Sequence, residues 1–335
     1  MKQQIIEASN YDPLLELAWR NFTLYDGHAN RLQKGFNNLQ VSILTIGIVA
    51  SALAVSQTQF KEIQLTPTVS IVFHYILIVL PISISVLVAI SNRFRSGTKW
   101  VLLRAAAEAI KSEIYQYRAR SHIYRHKKDE SIQSLREKFS STLEYINNHL
   151  MKTDVAIHGF DNHDYTGAIP PEMYGAAGKD DGYSMLSADQ YIKIRIGDQL
   201  NYYRGRVSKL HKQLKRLHWL ILSIGGAGTF LAAAGLQIWI ALTTSLGAVF
   251  LTFLEYRQVE NTIIKYNQTV SELLNIYTWW ESLTFRQRDG LAYDKLVQKT
   301  EDTLHTELAG WIKQMEDVIE KLSTKKKEET NKAPK

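Results

Sequence analysis

LHWLILSIGGAGTFLAAAGLQIWIALTTSLGAVFLTFL, Leu217 to Leu254, decides the fold. These 38 residues contain no Asp, Glu, Lys or Arg. A bilayer-spanning helix needs about 20 apolar residues and tolerates a minimum of roughly 17. The stretch is therefore two spans, with a tight turn where Leu236-Gln237-Ile238-Trp239 interrupts it. Basic residues stop at Arg216, and Glu255 restarts the charge.

The helix that leads into this stretch has an apolar seam at Leu200, Tyr203, Val207, Leu210, Leu214 and Leu217. Steps of three and four keep these positions on one helical face. The same seam occurs earlier at Phe22, Tyr25, Ala29, Leu32, Phe36 and Leu39, a shift of 178 residues. Arg31 and Lys34 fall on Lys209 and Lys212, and Gly47 falls on Gly225. The chain is an internal duplication. Each copy reads as a seam helix, a two-span hairpin and a second seam helix.

The first copy, residues 1–157, has spans at about 39–55 and 69–91, with Pro81 predicting a kink inside the second. A polar outer loop holding Lys61 and Glu62 separates them. Trp100, Leu103, Ala107, Ile110, Ile114, Tyr117 and Tyr124 form the return seam, with Ser121 in the missing position. Arg104, Glu108, Lys111, Glu113, Arg118 and Arg120 read as its charged outer faces, and the helical pattern runs on to about Ile157. Residues 158–187 are rich in Gly and Pro and read as a linker. Ser187-Ala-Asp-Gln190 is a capping box that restarts helix. The second copy, 188–285, has spans at about 217–236 and 238–254, and a return stripe at Val259, Ile263, Tyr266, Val270, Leu273, Tyr277 and Trp280. After a break at Gly290, an amphipathic helix ends near Leu322, and the Lys-rich tail 323–335 reads as disordered. The expected fold is an all-α membrane protein: four transmembrane helices in two hairpins that continue into long, coiled-coil-like stalks.

Charge sets the sidedness. Fifteen Lys and Arg lie within 20 residues of the four inner span ends, against one, Lys61, in the outer connections. The positive-inside rule then places both termini and the linker in the cytoplasm. This flanking charge accounts for the net +7, so nucleic acid is not an expected partner. The absence of cysteine excludes disulfides and thiolate chemistry, and 22% charged residues mean that most of the chain lives in water.

Trp19-Arg20 through Tyr25 and Ala29, followed by a hairpin and then Trp100-Val-Leu-Leu-Arg-Ala-Ala-Ala-Glu108-Ala-Ile-Lys111-Ser-Glu113-Ile-Tyr-Gln-Tyr117-Arg118, resembles the SLATT membrane-effector superfamily. Ile196 to Trp280 is similar to a second such unit. The resemblance implies a pore-forming or membrane-perturbing effector of bacterial defence, set in the plasma membrane and paired with nucleotide-signal enzymes. Two units and no recognisable sensor domain depart from the single-unit pattern.

Candidate functional residues follow. Ser42, Thr45, Ser56, Ser223 and Thr229 are candidate pore-lining hydroxyls; the competing reading is helix packing, which favours small and hydroxyl residues. His74 is a candidate gating group, or an interfacial histidine. No carboxylate lies inside a span, which argues for a passive pore over a coupled carrier. Arg118, Arg120, Arg125, Lys127 and Lys128 are a candidate patch for a phosphorylated cytoplasmic ligand, or a solvated basic face. His122 and His126, four apart in a helix, are a weak metal pair in that basic setting. No catalytic constellation and no cofactor motif is visible. The expected protein is an oligomeric ion channel, its partners the bilayer, copies of itself, and a cytoplasmic signal ligand or protein. The alternative is a non-conducting scaffold that binds partner helices through its aromatic seams.

Overall fold

A computed structural model describes residues 12–59, 67–94, 96–125, 131–153, 169–171 and 180–307, with 309 and 313. The described residues are helical, without a strand. The elements are α1 (Pro13–Gln59), α2 (Pro67–Phe94), α3 (Ser96–Arg118), α4 (Ile132–Met151), α5 (Ala188–Tyr191), α6 (Gly197–Ala233), α7 (Gln237–Arg257), α8 (Val259–Ser282) and α9 (290–307). A π-turn, Ile192–Ile196, joins α5 to α6. The N-terminal arm, the first outer loop with Lys61, Lys127, Lys128, most of the linker and the Lys-rich tail lie outside the described residues.

The order repeats: long helix, helix, helix, a short 3₁₀ turn, helix. The turns are His122–Tyr124 in one copy and Phe285–Gln287 in the other. Yet the chain does not divide into compact bodies by copy. One unit comprises Met1–Leu32, Thr98–Val207 and Ile264–Ile319; the other comprises Gln33–Gly97, Ser208–Ile263 and Glu320–Lys335. The starts of the two leading seam helices fall in unit one, while their ends, with the basic flank at 209–216, and the uncharged runs of both copies fall in unit two.

Unit one has a continuous core. The first seam's Phe22, Tyr25 and Ala29 and the return seam's Leu103, Ala107, Ile110, Ile114, Tyr117 and Tyr124 are all buried in it. The predicted stripes are thus the faces that pack. Tyr117 stacks on Phe139 of α4 at 4.4 Å, and Trp19 meets Tyr115 edge-on at 6.2 Å. Such pairs contribute about 0.5–1.5 kcal/mol beyond area burial. The capping box forms as expected: the Ser187 hydroxyl accepts from the Gln190 N–H, and the Gln190 side chain accepts from the Ser187 N–H.

Unit two has little core of its own. Ile71, Val79, Ile82, Leu222, Phe230 and Leu251 are each more than half exposed. Among the described residues, three helices are long and apolar enough to cross a bilayer, within Pro13–Gln57, Thr68–Ile90 and Gln237–Ser282. The remaining uncharged run in α6 covers 217–233, at the short limit for a span. The expected tight turn is present: Gly235, at φ +77°, closes 234–236 between α6 and α7. α2 continues through Pro81.

Three expectations change. The return helix of the first copy does not run to Ile157. It ends at Arg118, where Arg120 and His122 take positive φ, and α4 begins at Ile132. His122 is therefore in a 3₁₀ turn, and His126, the other member of the candidate pair, lies outside the described residues. The last span does not run unbroken into its return helix, because Gln258 at φ 45° separates α7 from α8. Between Leu273 and Trp280, both buried as expected, the stripe uses Ile276 and leaves Tyr277 exposed.

Candidate functional site

The sequence-derived hydroxyls lie in unit two, and their surroundings sort them. Ser51 and Ser245 hydrogen-bond to each other at 2.9 Å. A Cβ on Gly228 would meet Thr243 Oγ1 at 2.8 Å, so α6 and α7 approach too closely there for a larger residue. These positions are helix packing. Ser42, Thr45, Ser223 and Thr229 are exposed on the outside of the unit, and Ser56 is half-buried. Thr45 and Ser223 occupy equivalent positions of the two copies. Each donates to the carbonyl four residues back, Val41 at 2.8 Å and Trp219 at 2.8 Å. Ser51 and Thr229, also equivalent, donate to Gly47 at 3.0 Å and Gly225 at 3.1 Å. A hydroxyl bonded to its own helix tolerates hydrocarbon and still offers a lone pair to water or an ion. His74 is exposed, its ring 6.2 Å from that of Tyr75.

The three described arginines of the basic patch each have a partner. Arg118 is fully buried and grips Asp180, with Nη1 donating to Oδ2 at 2.7 Å and Nη2 to Oδ1 at 2.5 Å. Its Nε donates to the Ser184 carbonyl at 2.9 Å. Arg120 lies over the Tyr117 ring at 4.9 Å, and half-exposed Arg125 lies 3.8 Å from Asp294. The charged residues of α3 have partners too: Arg104 pairs with Asp26 and Glu108, Lys111 sits over the Phe22 ring, and Glu113 accepts from the Tyr124 hydroxyl at 2.6 Å. Among the described residues, no group of three or more His, Cys, Asp or Glu is placed to hold a metal.

Arg118 shows what the end of the linker does. Residues 180–187 are strapped onto unit one. The Trp19 indole donates to the Gly182 carbonyl at 2.8 Å, and the Leu186 N–H donates to the Arg118 carbonyl at 2.9 Å. Gly182 takes φ +77°, and a Cβ there would lie 2.5 Å from the Pro170 ring, so glycine is required.

A second enclosed ionic site was not visible in the sequence. Arg195, on the π-turn, donates from Nε and Nη2 to Glu301 of α9 at 2.9 and 2.8 Å. The Tyr191 hydroxyl donates to the same carboxylate at 2.7 Å. Both charges are almost fully buried, with side chains 3% and 2% exposed. Tyr115 lies between two guanidinium groups, Arg195 at 4.6 Å and Arg118 at 5.8 Å. Burial, tempered by those cations, pushes its hydroxyl up to about 12. Arg195 Nη1 has no hydrogen-bond partner among the described residues.

Asp294, Glu301 and Glu307 run along α9 as its acidic contacts. Asp294 accepts from the Ser121 hydroxyl and from the His122 N–H at 2.7 Å, and Glu307 accepts from the Tyr203 hydroxyl at 3.2 Å. Burial, with Glu108 nearby, pushes the Glu307 carboxyl up to about 7. Glu108 itself is held low: burial opposes its charge, but Lys111, Arg104 and Arg195 outweigh it. α9 thus clasps both copies through carboxylates.

Fold and site together define a helical chain with membrane-length apolar helices and a separate unit clasped by buried polar pairs. Residues 191–311 match the SMODS and SLOG-associating 2TM effector domain 1, and residues 20–131 match a family described as a protein of unknown function, DUF4231. The match to the SLATT domain model lies in the second half of the chain. The named match falls there, on the copy with the more generic pattern, while the motif around Glu108 falls in the second family. No curated protein and no solved structure matches the chain.

Proposed function

We propose that this chain is a multi-pass membrane effector whose copies assemble into an ion-conducting pore, gated by the soluble unit. All four uncharged runs cross the bilayer, the 217–233 run of α6 included, and both termini face the cytoplasm of a bacterial cell. The observation that carries the reading is the duplicated hydroxyl pair Thr45 and Ser223, exposed at equivalent positions in the uncharged runs of α1 and α6 and already bonded to their own backbones. In a ring of copies these positions can face a common axis as a hydrated lining without stranding a polar group in lipid. α1 and α6 begin among the core residues of unit one and continue as single helices into the uncharged runs of unit two. The Arg195–Glu301–Tyr191 clasp stands at the start of α6, and a signal ligand or partner protein that loosened it would act on a helix that reaches the membrane.

The scaffold alternative loses support because its seams are spent internally: Phe22, Tyr25, Ile110 and Ile114 are buried in the chain's own core. We assign no catalytic role. The test is ion flux from liposomes loaded with the purified chain. The expected result is flux that falls in Thr45→Val/Ser223→Val with insertion unchanged. Equal flux from the variant removes the lining assignment, and no flux across ligands and voltages removes the pore.

A further inference from the structure

We infer that α6 carries a binding groove for the headgroup and upper chain of one anionic phospholipid, at the cytoplasmic edge of the third uncharged run. His211, Leu214, Lys215, His218, Trp219 and Leu222 line a groove of about 290 Å³. Their spacing of 3, 1, 3, 1 and 3 puts all six on one helical face. The order along the axis is that of a phospholipid. His211 and Lys215 lie before the last basic residue, Arg216. Trp219, 63% exposed, sits just inside the uncharged run, where indoles favour the membrane interface. Leu222, 65% exposed, is one turn deeper, at acyl-chain level.

Charge complementarity commits the occupant. Between Asp198 and Glu255 the sequence has no acid, while Arg204, Arg206, Lys209, Lys212, Lys215 and Arg216 precede the apolar run. Among the described residues, Lys209, Lys212, Lys215 and Arg216 form no ion pair. Glu260 of α8 lies 3.6 Å from His218, and its side chain is 65% exposed. Basic pockets at the cytoplasmic edge of membrane helices suit anionic headgroups.

The first copy supplies an internal contrast. The equivalents of Leu214 and His218 are Phe36 and Gln40, which are 5% and 7% exposed. The equivalents of His211 and Lys215 are Gln33 and Asn37, without charge. At Phe36 and Gln40 the face is covered in the first copy, while Val41, the equivalent of Trp219, is 47% exposed; in the second copy the face is basic and aromatic.

The proposal rests on 217–233 lying in the bilayer, so the test separates the two. The full chain is reconstituted in phosphatidylcholine vesicles with and without phosphatidylglycerol. Flotation reads insertion, and native mass spectrometry reads the lipid kept per chain. The expected result is selective retention of phosphatidylglycerol, reduced about fivefold in Lys215→Gln, the weight of one cation near an anionic surface. Arg216→Gln, which removes the same charge about 100° around the helix, leaves retention unchanged. Equal losses in both variants, or retention of phosphatidylcholine to the same extent, overturn the site while flotation preserves the span. Displacement of the lipid by inorganic phosphate would reassign the groove to a soluble anion. Failure to float overturns the span itself.

Discussion

Unit one and unit two are built from the same two copies, yet they satisfy their polar groups in opposite ways. In unit one, polar side chains reach across the sequence: Arg195 to Glu301, Arg118 to Asp180, Trp19 to Gly182. In unit two, most hydroxyls turn back onto their own helix, and large apolar residues face outward. Under the proposed insertion, the difference marks the solvent each unit meets: water for unit one, lipid for unit two. Water lets a chain expose its charges and forces its apolar seams inward. Lipid does the reverse, and it requires each backbone and hydroxyl group to be satisfied locally.

The contrast breaks most visibly at the clasp. Glu301→Ala leaves Arg195 and Tyr191 buried without their acceptor, and the expected loss is about 3–5 kcal/mol in the unfolding of unit one. Thermal or denaturant unfolding followed by tryptophan fluorescence checks it. The double variant Arg195→Met/Glu301→Leu should recover most of that loss, since no charge is then left unpaired.

A second effect is read with pH. The Glu307 carboxyl is raised from its ordinary 4.5 to about 7, so the folded protein holds a proton that the unfolded chain gives up. Its contribution to stability is complete below pH 4.5 and is lost as pH rises through about 7. Stability measured across this window should decline, and Glu307→Gln should flatten that part of the curve. A profile identical to wild type would mean that Glu307 is ionised on its helix at neutral pH.

The smallest effect sharpens the contrast from the other side. Ile78→Ala, on an exposed face of α2, should change stability in detergent by no more than about 0.5 kcal/mol. Ile110→Ala, fully buried in unit one, should cost about 2–5 kcal/mol. Equal costs at the two positions would mean that α2 is packed within protein.

Much of this was legible in the residues. The uncharged runs, the tight turn near Leu236, the capping box at Ser187 and the packing seams follow from local period and composition. The break after Arg118 did not, because Arg120 and His122 adopt positive φ without glycine or proline to mark it. The duplication held the missing signal: the second copy's break before Gly290 predicts a break at the matching point of the first. The clasp was hidden for another reason. Arg195 and Glu301 stand 106 residues apart, and no local pattern pairs them. The hint lay in α9, where Glu301 interrupts the buried stripe of Val297, Thr300 and Leu304.

The chain has no cysteine, so single introduced cysteines report cleanly on where unit two resides. The most direct measurement is labelling of Ile78→Cys, Leu222→Cys and Leu251→Cys by a water-soluble maleimide in reconstituted vesicles, with Tyr145→Cys as the soluble reference. The account predicts rapid reaction at 145 and almost none at 78, 222 and 251 until the bilayer is dissolved and the chain unfolded. Labelling at those three positions as fast as at 145 in intact vesicles would contradict it.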